Sequence, residues 1–246
     1  MNIQDVIDKL GEIVDEAERE GSRVGYFAVL YRRMTQEIQA GMRDGEFDDP
    51  ALVERLDVAF AERYFVAYDA WRRGLPTTGV WTEAFNAAAA PQHVVLQHLL
   101  LGINAHINLD LGIVTATMVE DGDLATIKRD FDHVNLLIRR LIPPIQDRIN
   151  ALSPGFRVVD RLGGSLDETM FDFSLQAARD SAWDFAKELR PLTLAARGPR
   201  VEARDREFTR WAQHILRPGL FQQAALRAFW LFEERDVRRV IDGLQL

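Results

Sequence analysis

Between Val94 and Val114 the chain reads VVLQHLLLGINAHINLDLGIV, a stretch long enough to cross a bilayer. Gln97, His98, Asn104, His106, Asn108 and Asp110 interrupt it. That many polar groups in hydrocarbon would be prohibitive. The stretch is therefore expected to be the buried central helix of a bundle, running from about Pro91 to Met118, and no membrane span is expected. The other segments must cover it.

Those segments carry helical periodicity. Ile3, Val6, Ile7, Leu10, Ile13 and Val14 fall on one face, and Gly21 ends the segment. A second helix is expected from Ser22 to about Gly41. Asp49-Pro50 gives an N-cap and a first-turn proline ahead of the stripe Val53, Leu56, Phe60, Tyr64, Ala67 and Trp71. A short helix carries Trp81 and Phe85. After the turn at Asp121-Gly122-Asp123 comes a stripe of Leu124, Ile127, Phe131, Val134, Ile138 and Leu141, which Pro143-Pro144 is expected to kink or break. Ser153 to Gly164 reads as a connection, with Phe156–Asp160 a short extended piece. Ser165 to Glu168 forms a capping box ahead of a helix to about Leu189, and two helices follow near Val201–Leu216 and Leu220–Val240. The fold class is all-α: one domain over residues 1–246, a bundle of about eight to ten helices around the central one.

Composition removes whole classes of chemistry. The 246 residues include no cysteine, which excludes disulfides, thiolate metal sites and cysteine nucleophiles. The net charge of −8 argues against sequence-independent nucleic-acid binding, which needs a basic face to displace counterions. The acidic, amphipathic N-terminus is not a signal peptide, and a cytoplasmic location is expected. The segment GLFQQAALRAFWLFEE near the C-terminus is apolar nearly all round, so it is expected to be fully buried or to cover a partner, such as a second copy in a homodimer.

The candidate chemistry lies on the central helix. At 100° per residue His98, Gly102, His106 and Asp110 share a sector about 120° wide. Gly102 removes a side chain from it, leaving room for a water, an ion, a ligand atom or a neighbouring helix. Two imidazoles and a carboxylate suit a divalent metal (zinc, iron or manganese), and a metal-bound water becomes a nucleophile near neutral pH. His98, His106 and Asp110 are the metal candidates. Tyr64 and Tyr68 are candidate proton donors, and Asp130 is a further ligand or base. The same groups could instead hold an apolar small molecule without metal, or merely satisfy one another, since buried polar groups need partners in any case. Gln97, Asn104 and Asn108 fall on another sector and read as hydrogen bonds between helices. His133 should be solvated by phase. Asp172, Gln176, Arg179, Asp180 and Trp183 share a face that reads as an exposed ion-pair ladder, partly covered where Trp183 interrupts it.

The segment LQHLLLGINAHINLDLG, with AERYFVAYDAW upstream and RDFDHVN downstream, resembles an uncharacterised bacterial family of helical proteins, a domain of unknown function, from about Val53 to Trp183. That resemblance implies a site location but no activity. The spacing His106-x-x-x-Asp110 is faintly similar to helix motifs of the zinc-dependent phospholipase C and nuclease group. That similarity would imply several His, Asp and Glu ligands and an N-terminal ligand, and this sequence lacks such a set. Three classes stand open: a small-molecule enzyme of the metal-dependent hydrolase type, a metal-free enzyme or binding protein for an apolar small molecule, and an interaction module with a polar core.

Overall fold

Helix boundaries follow the capping chemistry of the sequence. In the computed structural model, which describes residues 1–118, 123–153 and 175–245, α1 (Ile3–Glu20) starts on Asn2. The Asn2 side chain accepts from the Asp5 amide, and the Asp5 carboxylate accepts from the Asn2 amide. The helix ends at Gly21, whose φ of 64° suits a residue without a β-carbon. Then come α2 (Val24–Arg43), α3 (Pro50–Arg72), capped by Asp49 with proline in its first turn, and α4 (Gly79–Ala88).

The central element begins as α5 (Val95–Ile103), widens into a π-helix (Asn104–Leu111) and narrows again into α6 (Gly112–Met118). By length and hydropathy it could cross a membrane, but 89% of its most apolar window is buried inside the bundle. Its first amides are satisfied by side chains: the Val94 amide donates to Gln97 Oε1 at 3.2 Å, and the Val95 amide to Glu233 Oε2 at 3.0 Å. After a 3-10 turn (Leu124–Ile127) capped by Asp123 come α7 (Lys128–Leu152), α8 (Leu175–Leu189), α9 (Leu194–Leu216), α10 (Leu220–Phe232) and α11 (Val237–Leu244). Every described element is helical, in agreement with the all-α expectation.

Several expectations are corrected. Of the kink or break expected at Pro143-Pro144 the break does not occur, since α7 continues through both prolines, and α9 starts earlier than expected and contains Pro199. The last expected helix divides after Phe232, where Glu233 turns extended and Asp236 caps a fresh start for α11. α10 is not fully buried: Leu226 and Phe229 face inward, while Leu220 (83% exposed), Phe221 (93%), Leu231 and Phe232 lie open. His133 is only partly solvated, because its Nε2 lies 2.9 Å from Glu46 Oε2 and its ring stands edge-on to Phe47. The turn at Asp121-Gly122, the extended piece at 156–160, Gly163-Gly164, the capping box at 165–168 and Asp172 lie outside the described residues.

Candidate functional site

The π-helix changes what the central residues can reach. Hydrogen bonds from i to i+5 widen the turn, so a phase counted at 100° per residue fails from Asn104 onward. His98, His106 and Asp110 accordingly have separate surroundings. Asp110 accepts from Arg63 Nε at 2.5 Å and from the Trp81 indole Nε1 at 2.7 Å, both partners coming from covering helices. His106 stacks on Phe60 with ring centroids 3.5 Å apart and planes 12° from parallel, and Tyr31 crosses it at 4.3 Å. His98 stands edge-on to Tyr26, with centroids 5.7 Å apart.

The space above Gly102 is taken by Phe27 of α2. A β-carbon built there would sit 2.4 Å from the Phe27 ring. Of the occupants envisaged for that gap, a neighbouring helix has the place. Among the described residues no three His, Asp or Glu side chains gather closely enough to hold a metal ion, so the expected ligand set of His98, His106 and Asp110 does not assemble.

The other candidates divide in the same way. Asp130 is a structural acceptor for the Asp48 and Asp49 amides, both at 2.8 Å, and so fixes the entry to α3. The Tyr68 hydroxyl donates to Glu16 at 2.7 Å. Tyr64 is buried among Phe27, Trp81 and Phe85, and its hydroxyl has no partner. Two of the three amides behave as expected, Gln97 donating to the Ile215 carbonyl at 2.7 Å and Asn104 to that of Phe208 at 3.0 Å, whereas Asn108 donates to Asn104 of its own helix at 3.1 Å.

His106 lies instead on the wall of a cavity of about 410 Å³ between α2, the central helix, α7 and α8. Leu96, Leu100, Ile103 and Ile107 form one wall, and Ile138, Leu141, Ile142 and Ile145 form another. From Val95 to Gly112 every residue is buried except Ile103, which borders this space. Tyr31, His106, Asn135 and Arg179 also line it. Each carries a buried polar atom without a hydrogen-bond partner: the Tyr31 hydroxyl, both His106 ring nitrogens, Asn135 Oδ1 and Arg179 Nε. Native interiors leave few such atoms, so five on four residues at one cavity require an explanation. Arg139 and Gln146 are exposed, and with Gln176 they form the polar side of the lining.

A family model described as a family of unknown function, DUF5995, matches residues 3–218. The chain belongs to DUF5995. The cavity lining, from Phe27 to Arg179, falls wholly inside the DUF5995 match, whereas α10 and α11 lie beyond it. No curated protein and no solved structure matches the chain. The DUF5995 match bears out the resemblance to an uncharacterised family and lends nothing to the phospholipase similarity.

Burial sets the protonation states around this DUF5995 cavity. It holds the His106 imidazole well below its usual range, helped by the positive charges of Arg179 and Arg63, so the ring is neutral at neutral pH. It pushes the Tyr31 phenol well above its usual range, helped by Asp57 and Asp110, which keeps the hydroxyl protonated. Asp57, with Oδ2 unpartnered, is raised to about 7, mainly by burial and then by the charge of Glu54. At Asp110 burial also pushes upward, while Arg63 and Trp81 pull back. The resulting wall offers a neutral imidazole, a phenol donor and an unpaired guanidinium. Tyr31 and Arg63 were missed by sequence reasoning, and Arg179 was assigned to an exposed ladder. Their only signals were tyrosine on an otherwise apolar face and the neighbouring Trp183.

Proposed function

We propose that this protein binds an apolar small molecule in the cavity beside His106, as a binding protein or as an enzyme that acts on the bound molecule without a metal. One observation carries this reading: an aliphatic cavity of about 410 Å³, within the usual size of small-molecule sites, bordered by four side chains with unpartnered polar atoms. A cluster that only fixed helix register would be expected to satisfy its own atoms, as Asp110 does with Arg63 and Trp81. A metal-centred hydrolase lacks a ligand set among the described residues. Burial makes His106 a weak base and Tyr31 a weak acid, so both act on a bound molecule by hydrogen bonding rather than by exchanging protons with it.

The test is titration with a neutral apolar fluorophore, N-phenyl-1-naphthylamine. Saturable binding at one site per chain is expected, and Ile103→Trp and Ile142→Trp, which fill the cavity from opposite walls, should each abolish it while leaving the helical circular-dichroism signal intact. Absence of saturable binding to the parent protein sinks the reading. So does binding that persists in both filled variants.

A further inference from the structure

The charge balance at the polar side of the cavity narrows the ligand, on the reading that the cavity is a binding site. Arg179 is 4% exposed, and among the described residues no carboxylate pairs with it. One terminal nitrogen donates to the Phe131 carbonyl at 3.0 Å, the guanidinium lies over the Phe131 ring at 4.4 Å, and Nε has no partner. The carboxylates that influence it are engaged elsewhere: Asp132 accepts from Lys128, and Asp180 accepts from Gln176. A buried guanidinium without a counter-ion is costly, and an anion arriving from outside would remove that cost. Its neighbours along the wall add donors, the Tyr31 hydroxyl and the His106 ring, and no carboxylate stands among the described lining residues, although the charges of Asp57 and Asp110 act on Tyr31 from outside the lining.

The shape supplies the other half of the argument. The lining runs along the central helix from Leu96 to Ile107 and along α7 from Asn135 to Gln146. These helices are antiparallel, since Ser153 at the end of α7 and the Val95 amide at the start of α5 both bond Glu233. Asn135 therefore lies toward the His106 end, and Ile145 with Gln146 toward Leu96. Along α7 the eleven rises from Asn135 to Gln146, at about 1.5 Å each, give a channel on the order of 16 Å long. An extended alkyl chain built on C–C bonds of about 1.5 Å advances about 1.25 Å per carbon, so roughly twelve carbons fit.

We propose that the ligand is an aliphatic carboxylate of about twelve carbons, its tail along the Leu96–Ile107 wall and its carboxylate on the Arg179 guanidinium, beside Tyr31 and His106. Guanidinium suits this task because its planar fork matches a carboxylate and stays charged in a dry site.

The experiment is displacement of N-phenyl-1-naphthylamine by three twelve-carbon ligands with different heads: dodecanoate, 1-dodecanol and dodecyltrimethylammonium. Dodecanoate should bind tightest. Arg179→Met should weaken dodecanoate at least about tenfold, as loss of a charge-assisted bond in a desolvated site implies, and leave dodecanol within about twofold. Arg179→Lys, which retains the charge, should recover part of the loss and guards against a folding artefact. If the fluorophore binds but dodecanoate has no advantage over dodecanol, this inference falls while the cavity reading stands. Equal weakening of dodecanoate and dodecanol in Arg179→Met overturns it as well. A loss seen only in Arg139→Gln would put the carboxylate among the exposed polar residues of the lining and overturns it too. No binding of the fluorophore at all removes the underlying site.

Discussion

At residue 102 the absence of a single methyl group decides how closely α2 can approach the central helix. Phe27 fills the gap, separates His98 from His106 and forms part of the cavity wall. Gly102→Ala would put a β-carbon 2.4 Å from the Phe27 ring, well inside contact distance, and the ring is held by Tyr31, Tyr64 and Trp81. Overpacking of this kind costs about 1–3 kcal/mol, to be measured by urea denaturation. Phe27→Leu in the same chain should recover part of that cost. A Gly102→Ala variant as stable as the parent would mean that Phe27 moves aside freely. The sequence already marked Gly102 as a vacant position, and it marked Gln97 and Asn104 as bonds between helices. It could not reveal which neighbour enters the vacancy, because that depends on how distant segments pack. Asp130 illustrates the same limit: a carboxylate on the edge of an apolar stripe looks available for chemistry until two amides from residues 48 and 49 occupy it.

Among the elements, the central helix was legible in position and burial but not in pitch. Nothing in NAHINLDL announces a π-helix, and periodicity counted on an α-helical wheel therefore joined His98 to Asp110 across a boundary where the winding changes. Helix starts were clearer, since Asn2, Asp49 and Asp236 carry their capping chemistry in the side chain. The start of α5 depends instead on Glu233, remote in sequence, which accepts from the Val95 amide and from the Ser153 hydroxyl. Burial raises this carboxyl to about 7, against the pull of Ser153 and the Val95 amide. Its unfolded value is about 4.3, so between these pH values the native chain retains a proton that the unfolded chain has released. The associated stability is fully present below about pH 4 and is lost as the pH rises through about 7. Glu233→Gln, which cannot ionise, should thus lose less stability than the parent between pH 5 and pH 8. His98 titrates in the opposite sense, because burial lowers it to about 3, but it is present in both proteins and cancels from the comparison. Equal losses in the two chains would show that Glu233 is ionised in the native state at both pH values.

For the whole molecule, the apolar excess of the sequence does not all go into a solid core. A closely packed bundle of this length would fill the space between α2, α5, α7 and α8, because an unfilled cavity forfeits dispersion contacts on every side. Retaining about 410 Å³ there, next to an unpaired buried guanidinium, lowers the stability of the empty protein and leaves that stability to be regained on binding. Dodecanoate at a hundredfold excess over its Kd should stabilise the native state by about 2.7 kcal/mol. For a chain of 246 residues that raises the midpoint of thermal unfolding by roughly 5–10 °C. The Ile103→Trp chain, with the cavity filled by its own side chain, should melt within a few degrees of the unliganded parent and show no shift with dodecanoate. Differential scanning calorimetry of the two proteins with and without ligand measures both quantities at once. A shift of equal size in both would mean that dodecanoate stabilises the fold from its surface, where α10 exposes Leu220 and Phe221, and not from within the bundle.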